Sequence, residues 1–372
     1  MHYSQRHLQL NAIFRMGKDL VLTDSGIDIR FYAFESNAVF DFKSICLIKE
    51  DEPIAENRSF IYPVFVPKGI DTMDHSILLM HGLNERNWNK YLTWAEYLCQ
   101  NTGKAIILFP IAFHINRSPA SWSNPRVMQP VMDLRRKRNG EHQSMSFANI
   151  ALSERISENP LRFYTAGKQS FNDIMQLARE IKQGLHPLFR TDTKLDIFSY
   201  SIGAFLSEIV LMVNQDRLWD DSKFFAFCGG GIFSSMFGES RSIMDKQAFS
   251  TLHQFYMNEF GQNNINSPNH DTLYRSFNAM ISPEKNPWLR HQFFNETKNR
   301  LQCLMLLKDK VMPYEGVSQA MGVDLATQNV NVLDFPFKYS HENPFPVNDL
   351  QDKTLIDEAF EKVFSRAANF LS

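Results

Sequence analysis

Six short apolar runs, separated by helical patterns, constrain this 372-residue chain more than any other feature. The runs are mostly continuous rather than alternating, which is typical of strands buried on both faces of a parallel sheet. They cover residues 76–80, 105–109, 195–199, 224–228, 303–307 and 330–335. Apolar residues at helical spacing predict helices over 91–101, 171–185, 202–213 and 355–371. The alternation predicts an α/β fold with a mostly parallel sheet flanked by helices.

The first 75 residues and two long connections differ from this pattern. Segments 27–34 and 60–66 alternate more or contain a proline, which predicts antiparallel edge strands within residues 1–75. The connections after 110 and after 229 are too long for simple crossovers, because unstructured loops beyond about 12–15 residues are uncommon. We therefore expect one domain over 1–372 with helical insertions at 111–170 and 229–300, forming a lid or cap.

Charge and cysteine usage narrow the functional classes. The chain has 39 Lys and Arg against 41 Asp and Glu, so it lacks the basic field of a nucleic-acid-binding protein. No run approaches the roughly 18 apolar residues of a membrane span, and the polar N-terminus does not resemble a signal peptide. The cysteines are far apart, which favours free thiols in a reducing cytoplasm: Cys46, Cys99, Cys228 and Cys303. We expect a cytoplasmic protein without a metal site.

The most informative segment is Ser199-Tyr200-Ser201-Ile202-Gly203, which lies between a predicted strand and a predicted helix. It resembles the nucleophile elbow of the α/β-hydrolase superfamily, whose pattern is G-x-S-x-G. That turn holds the serine in a strained conformation and needs small residues two positions before and after it. Gly203 fits, whereas Ser199 replaces the usual first glycine. Taken alone, a serine at such a turn is also an ordinary helix N-cap.

A second segment with the same resemblance is the His-Gly loop His81-Gly82-Leu83, directly after the first predicted buried strand. In the superfamily, a backbone N–H of this loop and the N–H after the nucleophile form the oxyanion hole. The resemblance implies that the N–H groups of Leu83 and Ile202 have this role, and that His81 shapes the loop. The alternative is a plain turn at Gly82.

Two further residues complete the superfamily's Ser…Asp…His order. Asp309 follows a predicted strand, where the family places its acid; its rivals, Asp324 and Asp334, do not. His341 follows the last predicted strand and precedes the C-terminal helix, where the family places its base. Asp309 as a strand terminator and His341 as a surface histidine are the alternatives. Four such signals in one order, each past a strand end, imply a triad with Ser201.

This resemblance implies a serine hydrolase that cleaves an ester, thioester or amide through an acyl-enzyme, without a cofactor. Carboxylesterase-like activity on a small-molecule or acyl substrate is the simplest expectation, because the fold alone does not define a substrate. A peptidase or an acyltransferase with the same triad remains an alternative. A non-catalytic binding protein is the rival from another class, supported by Ser199 and by insertions that would cover the site.

The predicted insertions are rich in aromatic residues, which form either an apolar acyl pocket or the insertions' own core. These residues are Phe113, Trp122, Phe147, Phe163, Phe233, Phe237, Phe249, Phe255 and Phe260. The cluster His114, Arg117, Trp122 and Arg126 would contact an anionic substrate group or form a solvated loop face. The basic run 135–138 predicts a solvated helix face or loop, with a localisation or anion-binding patch as the alternative.

Overall fold

The computed structural model describes residues 2–38, 51, 53–261, 271–348 and 352–372. Within these residues one sheet has nine strands in the order β1-β2-β3-β5-β4-β6-β7-β8-β9. The strands are β1 Leu20–Leu22, β2 Ile27–Glu35, β3 Ser59–Pro67, β4 Met73–Met80, β5 Ala105–Leu108, β6 Phe189–Tyr200, β7 Phe224–Phe227, β8 Leu301–Leu306 and β9 Val330–Leu333.

Twelve α-helices connect or flank these strands in the described part of the chain. They are α1 Tyr3–Ile13, α2 Asn89–Thr102, α3 Pro125–Asn139, α4 Ile150–Glu158, α5 Arg162–Lys182, α6 Ile202–Val213, α7 Lys246–Gln254, α8 Thr272–Ala279, α9 Pro287–Thr297, α10 Tyr314–Met321, α11 Val323–Asn329 and α12 Lys353–Leu371.

Strands β4 to β9 pair in parallel with one another, and the N-terminal strands β1 to β3 join them as antiparallel neighbours. This is the α/β-hydrolase fold, so the predicted mostly parallel sheet flanked by helices is confirmed. Each of the six apolar runs overlaps a strand of the parallel part. Because these strands are parallel, their carboxyl ends lie at one edge of the sheet.

Both faces of the sheet are covered, which explains why the apolar runs are continuous. Successive residues of a strand point to opposite faces. In β4, Leu78 and Met80 belong to the core under α5 and α6, whereas Ile77 and Leu79 belong to the core under α1, α2 and α12. All four side chains are buried. A strand with two buried faces is therefore mostly apolar along its whole length.

The antiparallel pairing of β2 and β3 is as predicted, but the position of β3 at an edge is wrong. Strand β3 pairs with β2 on one side and with β5 on the other, and β1 is the edge strand. Pro63 faces Phe31 of β2, and pairing with β5 begins one residue later, at Val64. The proline therefore lies outside the short ladder between β3 and β5, which explains its presence in an interior strand.

The two insertions pack against each other through α4 and α7. Arg135 of α3 donates to both carboxylate oxygens of Asp245, at 2.5 and 2.7 Å, and Asp245 is the N-cap of α7. Arg135 is buried, so the expectation of a solvated face over 135–138 is wrong at this residue. Helix α5 begins at Arg162 and leads directly into β6, so the end of the predicted 111–170 insertion belongs to the core crossover.

Three of the four cysteines lie within the described residues. Cys99, Cys228 and Cys303 are free and buried, and burial raises the pKa of each thiol. Cys46 lies outside the described residues. Among the residues that the structure describes, no helix combines the length and apolar character required to cross a bilayer.

Candidate active site

Ser201 lies on the turn between β6 and α6 in a strained backbone conformation. Its φ of 58° and ψ of −127° fall where non-glycine residues are rare. The Ser201 N–H donates to the Phe227 carbonyl oxygen at 3.2 Å. A Cβ at Gly203 would lie 2.7 Å from the carbonyl oxygens of both Met80 and His81. The turn therefore needs glycine at position 203, as expected for a nucleophile elbow.

The serine at position 199 fits for a specific reason. Its hydroxyl is 2.7 Å from the Ser207 hydroxyl, which in turn donates to the Gly203 carbonyl oxygen at 2.8 Å. Ser199 therefore donates to Ser207, and its buried hydroxyl has a partner. Steric crowding falls instead on Gly229, where a Cβ would be 2.6 Å from the Ser201 carbonyl oxygen.

The structure brings Ser201, His341 and Asp309 together. His341 Nε2 lies 2.7 Å from Ser201 Oγ, and its Nδ1 lies 2.7 Å from Asp309 Oδ2. All three side chains are buried. The second carboxylate oxygen of Asp309 accepts the N–H groups of Val311 and Met312, each at 2.9 Å. A carboxylate fixed on Nδ1 selects the tautomer whose Nε2 lone pair faces the hydroxyl.

The two rival acids have other surroundings. Asp334 forms an ion pair with Lys308 at 3.0 Å and accepts the Tyr339 hydroxyl at 2.8 Å. The hydrogen bond from Lys308 is the main cause that lowers the Asp334 pKa. Asp324 is exposed in the first turn of α11. Neither carboxylate contacts His341.

Tyr200 contacts both the backbone and the ring of His341, and this contact was not predicted from the sequence. The Tyr200 hydroxyl donates to the backbone carbonyl oxygen of His341, and the two rings stack with centroids 5.4 Å apart. Burial raises the Tyr200 pKa well above its usual value, so the hydroxyl keeps its proton. Lys90 Nζ lies 5.0 Å from the centroid of the Tyr200 ring. Tyr200 directly precedes Ser201 in the sequence, but that position alone does not indicate that its partner is His341.

The His-Gly loop and the first residue of α6 each have a backbone amide close to Ser201. The Ile111 N–H donates to His81 Nε2 at 2.9 Å, so Nδ1 carries the proton and donates to the Gly82 carbonyl oxygen at 2.7 Å. Burial lowers the His81 pKa well below its usual value and keeps the ring neutral. Within the described part of the chain, the N–H groups of Leu83 and Ile202 have no hydrogen-bond acceptor. His81 thus shapes the loop, and both amides are available to a ligand.

Both insertions hold this loop. Asn84, at a φ of 60°, donates to the carbonyl oxygens of Ala148 at 2.7 Å and Ser242 at 2.6 Å. Arg86 donates to the Phe147 carbonyl oxygen at 2.7 Å. Ala148 and Phe147 belong to the first insertion and Ser242 to the second. The position of the Leu83 amide therefore depends on contacts far apart in sequence.

Two cavities adjoin the loop. The serine cavity is lined by polar groups and by the Ser201 and His341 side chains, with Lys90, Ser242 and Glu342 around them. Burial raises the Glu342 pKa, but the Ser240 hydroxyl and His341 outweigh this and lower it overall. The insertion cavity lies between the first insertion, α5, α6 and α8. Its volume is about 100 Å³.

The predicted cluster of His114, Arg117, Trp122 and Arg126 does not form one site. Arg117 is fully buried, and its guanidinium donates to Asp173 at 2.6 Å. Arg126 is exposed. His114 and Trp122 do line the insertion cavity, and burial lowers the His114 pKa to about 4.

The aromatic residues of the insertions divide between the two predicted roles. Phe113, Trp122 and Phe163 line the insertion cavity. Phe233 and Phe260 are buried in the main core, and Phe237 is exposed. Both an apolar pocket and internal packing are therefore present.

One family model matches this chain by sequence, and several solved structures resemble it. A model of a family of unknown function, DUF6051, matches residues 1–372. No curated protein matches the chain. Three of the solved structures that resemble the chain have 9–12% identity to it. One is a mutant of the esterase rPPE, with 12% identity and a TM-score of 0.49 over 100% of this chain and 97% of that chain. Another is an esterase from Pyrobaculum calidifontis, with 11% identity and a TM-score of 0.46 over 99% of this chain and 90% of that chain. A third is carboxyl esterase 2 from the mycorrhizal fungus Tuber melanosporum, with 9% identity and a TM-score of 0.47 over 99% of this chain and 96% of that chain.

Proposed function

The chain belongs to this family of unknown function, DUF6051, and we propose that it is a serine hydrolase of the carboxylesterase type. Ser201 is the nucleophile, His341 the general base and Asp309 the acid that orients it. One observation carries the proposal: a buried imidazole bridges a strained serine hydroxyl and a fixed carboxylate at 2.7 Å on each side. A serine is a weak nucleophile until an adjacent base takes its proton.

The first half of the reaction forms an acyl-enzyme. His341 Nε2 takes the Ser201 proton as Oγ attacks the substrate carbonyl carbon. The carbonyl oxygen becomes an oxyanion, which accepts hydrogen bonds from the Leu83 and Ile202 amides. The C–O or C–N bond to the leaving group then breaks, and His341 gives its proton to the departing atom.

The second half returns the enzyme to its starting state. His341 takes a proton from water, and the hydroxide attacks the acyl carbon of the Ser201 ester. The same two amides stabilise the second oxyanion. Collapse releases the acid, and the proton on His341 returns to Ser201. Asp309 stays ionised and stabilises the imidazolium in both halves.

Two features favour turnover over ligand binding alone. Backbone strain of the kind found at Ser201 costs of order 1–3 kcal/mol, and such strain persists where the surrounding structure enforces it. The elbow glycine, the two unpaired amides and the aligned histidine support the same chemistry. A peptidase or acyltransferase would use the same acyl-enzyme and would differ in the leaving group or in the nucleophile that accepts the acyl group.

Labelling with a fluorophosphonate, read by intact mass, tests whether Ser201 is activated. We expect one adduct on the wild type and on Ser59→Ala, a control on an exposed strand residue, and none on Ser201→Ala. Turnover of ester, thioester and peptide substrates then identifies the bond that is cleaved. A folded wild type without an adduct would overturn the proposal and favour the binding-protein alternative. An adduct retained by Ser201→Ala would show that another serine is the nucleophile.

A further inference from the structure

The serine cavity and the insertion cavity meet at the candidate nucleophile. They share the loop Leu83, Asn84, Glu85 and Arg86. Ser201 lines the serine cavity, whereas the next residue, Ile202, lines the insertion cavity. A carbonyl held by the Leu83 and Ile202 amides would therefore lie where the two cavities join, with one substituent directed into each.

The position of His341 decides which substituent lies in which cavity. The protonated base must reach the leaving atom to give it a proton. His341 lines the serine cavity and does not line the insertion cavity. The leaving group must then face the serine cavity, and the acyl group is left with the insertion cavity.

The polarity of the two cavity linings agrees with this assignment of acyl group and leaving group. The insertion cavity has apolar walls, built largely from Leu152, Phe163, Ile202, Phe205, Leu206 and Phe277. Two arginines also line it, the half-buried Arg155 and the buried Arg162. Both bind Asp51, at 2.9 and 3.1 Å, and Arg162 also pairs with Glu158, so much of their charge is neutralised. The serine cavity is more polar: beside Leu83, Ala148 and Ile243 it is lined by amide, hydroxyl and charged side chains.

We propose that the substrate joins a medium-length apolar acyl chain, bound in the insertion cavity, to a polar leaving group in the serine cavity. This inference rests on the proposed hydrolase function. The volume of about 100 Å³ is several times what one water molecule needs, so the cavity has room for a chain longer than acetyl. Each added methylene that is buried raises kcat/KM about fourfold, from the usual transfer free energy of a CH₂ group.

Gly167 of α5 offers a direct way to close the insertion cavity. It lines the cavity, and a Cβ built on it meets no atom within 4 Å. Its φ is not positive, so a side chain there causes no backbone strain. Alanine favours a helix more than glycine does. A larger residue at this position therefore occupies the cavity and leaves the helix intact.

The test compares p-nitrophenyl acetate, butyrate and octanoate on the wild type, Gly167→Ala and Gly167→Phe. We expect kcat/KM of the wild type to rise about fourfold per methylene toward octanoate. Gly167→Phe should lower kcat/KM for octanoate at least about tenfold and leave acetate within about twofold, because only the longer chain meets the new ring. Gly167→Ala, the matched control, should keep most of the preference, and Gly167→Leu replaces the phenylalanine variant if that does not fold.

A binding measurement separates failure of this inference from failure of the proposed function. Octanamide should bind Ser201→Ala, measured by calorimetry, and should bind Ser201→Ala/Gly167→Phe at least about tenfold more weakly. Ester turnover with no chain-length preference, or a preference unaffected by Gly167→Phe, would overturn the inference and leave the hydrolase intact. No turnover of any ester and no labelling of Ser201 would overturn the proposed function, whatever octanamide does.

Discussion

The strand-end loops and the insertion cavity are built in different ways. Each residue of the candidate triad follows a strand of the parallel sheet: Ser201 after β6, Asp309 after β8 and His341 after β9. The walls of the insertion cavity come from α4, α5, α6, α8 and the loop after β5. The geometry of the candidate triad thus depends on short segments at strand ends, whereas the shape of the insertion cavity depends on contacts between segments far apart in sequence.

The largest expected effect separates these two regions. Ser201→Ala should lower kcat for p-nitrophenyl butyrate by about 10⁴-fold or more, because it removes the nucleophile. Binding of octanamide in the insertion cavity should stay within about threefold of wild type, measured by calorimetry. Loss of both would show that the two regions do not act independently.

A second comparison tests the acid. Asp309→Asn should lower kcat by about 10³–10⁴-fold, because an amide favours the wrong histidine tautomer. Asp334→Asn, the matched control at the rival acid, should keep kcat within about twofold. Stopped-flow or plate assays of p-nitrophenyl butyrate hydrolysis measure both. Equal losses in the two variants would contradict the assignment of Asp309.

The sequence was sufficient for the strand-end loops because their signals are local. An apolar run, a turn and a helical pattern lie within a few residues of Ser201, and the sheet edge collects the loops that follow parallel strands. The parallel strands were predicted close to their ends for the same reason, except that β6 begins at Phe189, well before the predicted run 195–199. The catalytic roles of the three residues stay a prediction until activity is measured.

The remaining features depend on pairs far apart in sequence. Tyr200 and His341, Asn84 and Ser242, and Arg135 and Asp245 contact each other across long separations. No periodicity or motif in a single sequence marks such partners. The aromatic residues of the insertions show the same limit, because composition does not distinguish a pocket wall from a core.

Acid should weaken the folded state through three buried histidines. Burial lowers the pKa of His114 and His186 to about 4, and it lowers that of His81 as well. The unfolded state, with an ordinary histidine pKa near 6.5, then binds more protons between about pH 6.5 and pH 4. The free energy of unfolding should be highest above pH 6.5 and fall toward pH 4, by about 2–3 kcal/mol for each of His114 and His186.

Urea unfolding at pH 7, 6, 5 and 4 measures this dependence. His114 lines the insertion cavity, whereas His186 pairs with the Tyr62 hydroxyl at 2.8 Å, away from both cavities. Replacing either histidine with glutamine should reduce the slope by a similar amount. A free energy of unfolding that is constant from pH 7 to pH 4 would contradict the buried neutral rings.

The smallest expected effect is on stability, in a comparison of Gly203 at the strand-end turn with Gly167 in the wall of the insertion cavity. Gly203→Ala should lower the free energy of unfolding by about 1–3 kcal/mol, because its Cβ would lie 2.7 Å from two carbonyl oxygens. Gly167→Ala should be neutral or stabilise the protein by up to about 1 kcal/mol. Urea unfolding of the two variants at pH 7 gives the difference. Equal values would show that the elbow is no tighter than the wall of the insertion cavity.

Trapping the acyl-enzyme tests the central claim most directly. The protein would be mixed with excess p-nitrophenyl butyrate, quenched in acid within the first turnovers, digested and analysed by tandem mass spectrometry. The account predicts a butyryl group on the peptide that contains Ser201, located on that serine, and its absence from Ser201→Ala. Hydrolysis of the ester with a butyryl group on another residue, or with none trapped under any quench time, would contradict it.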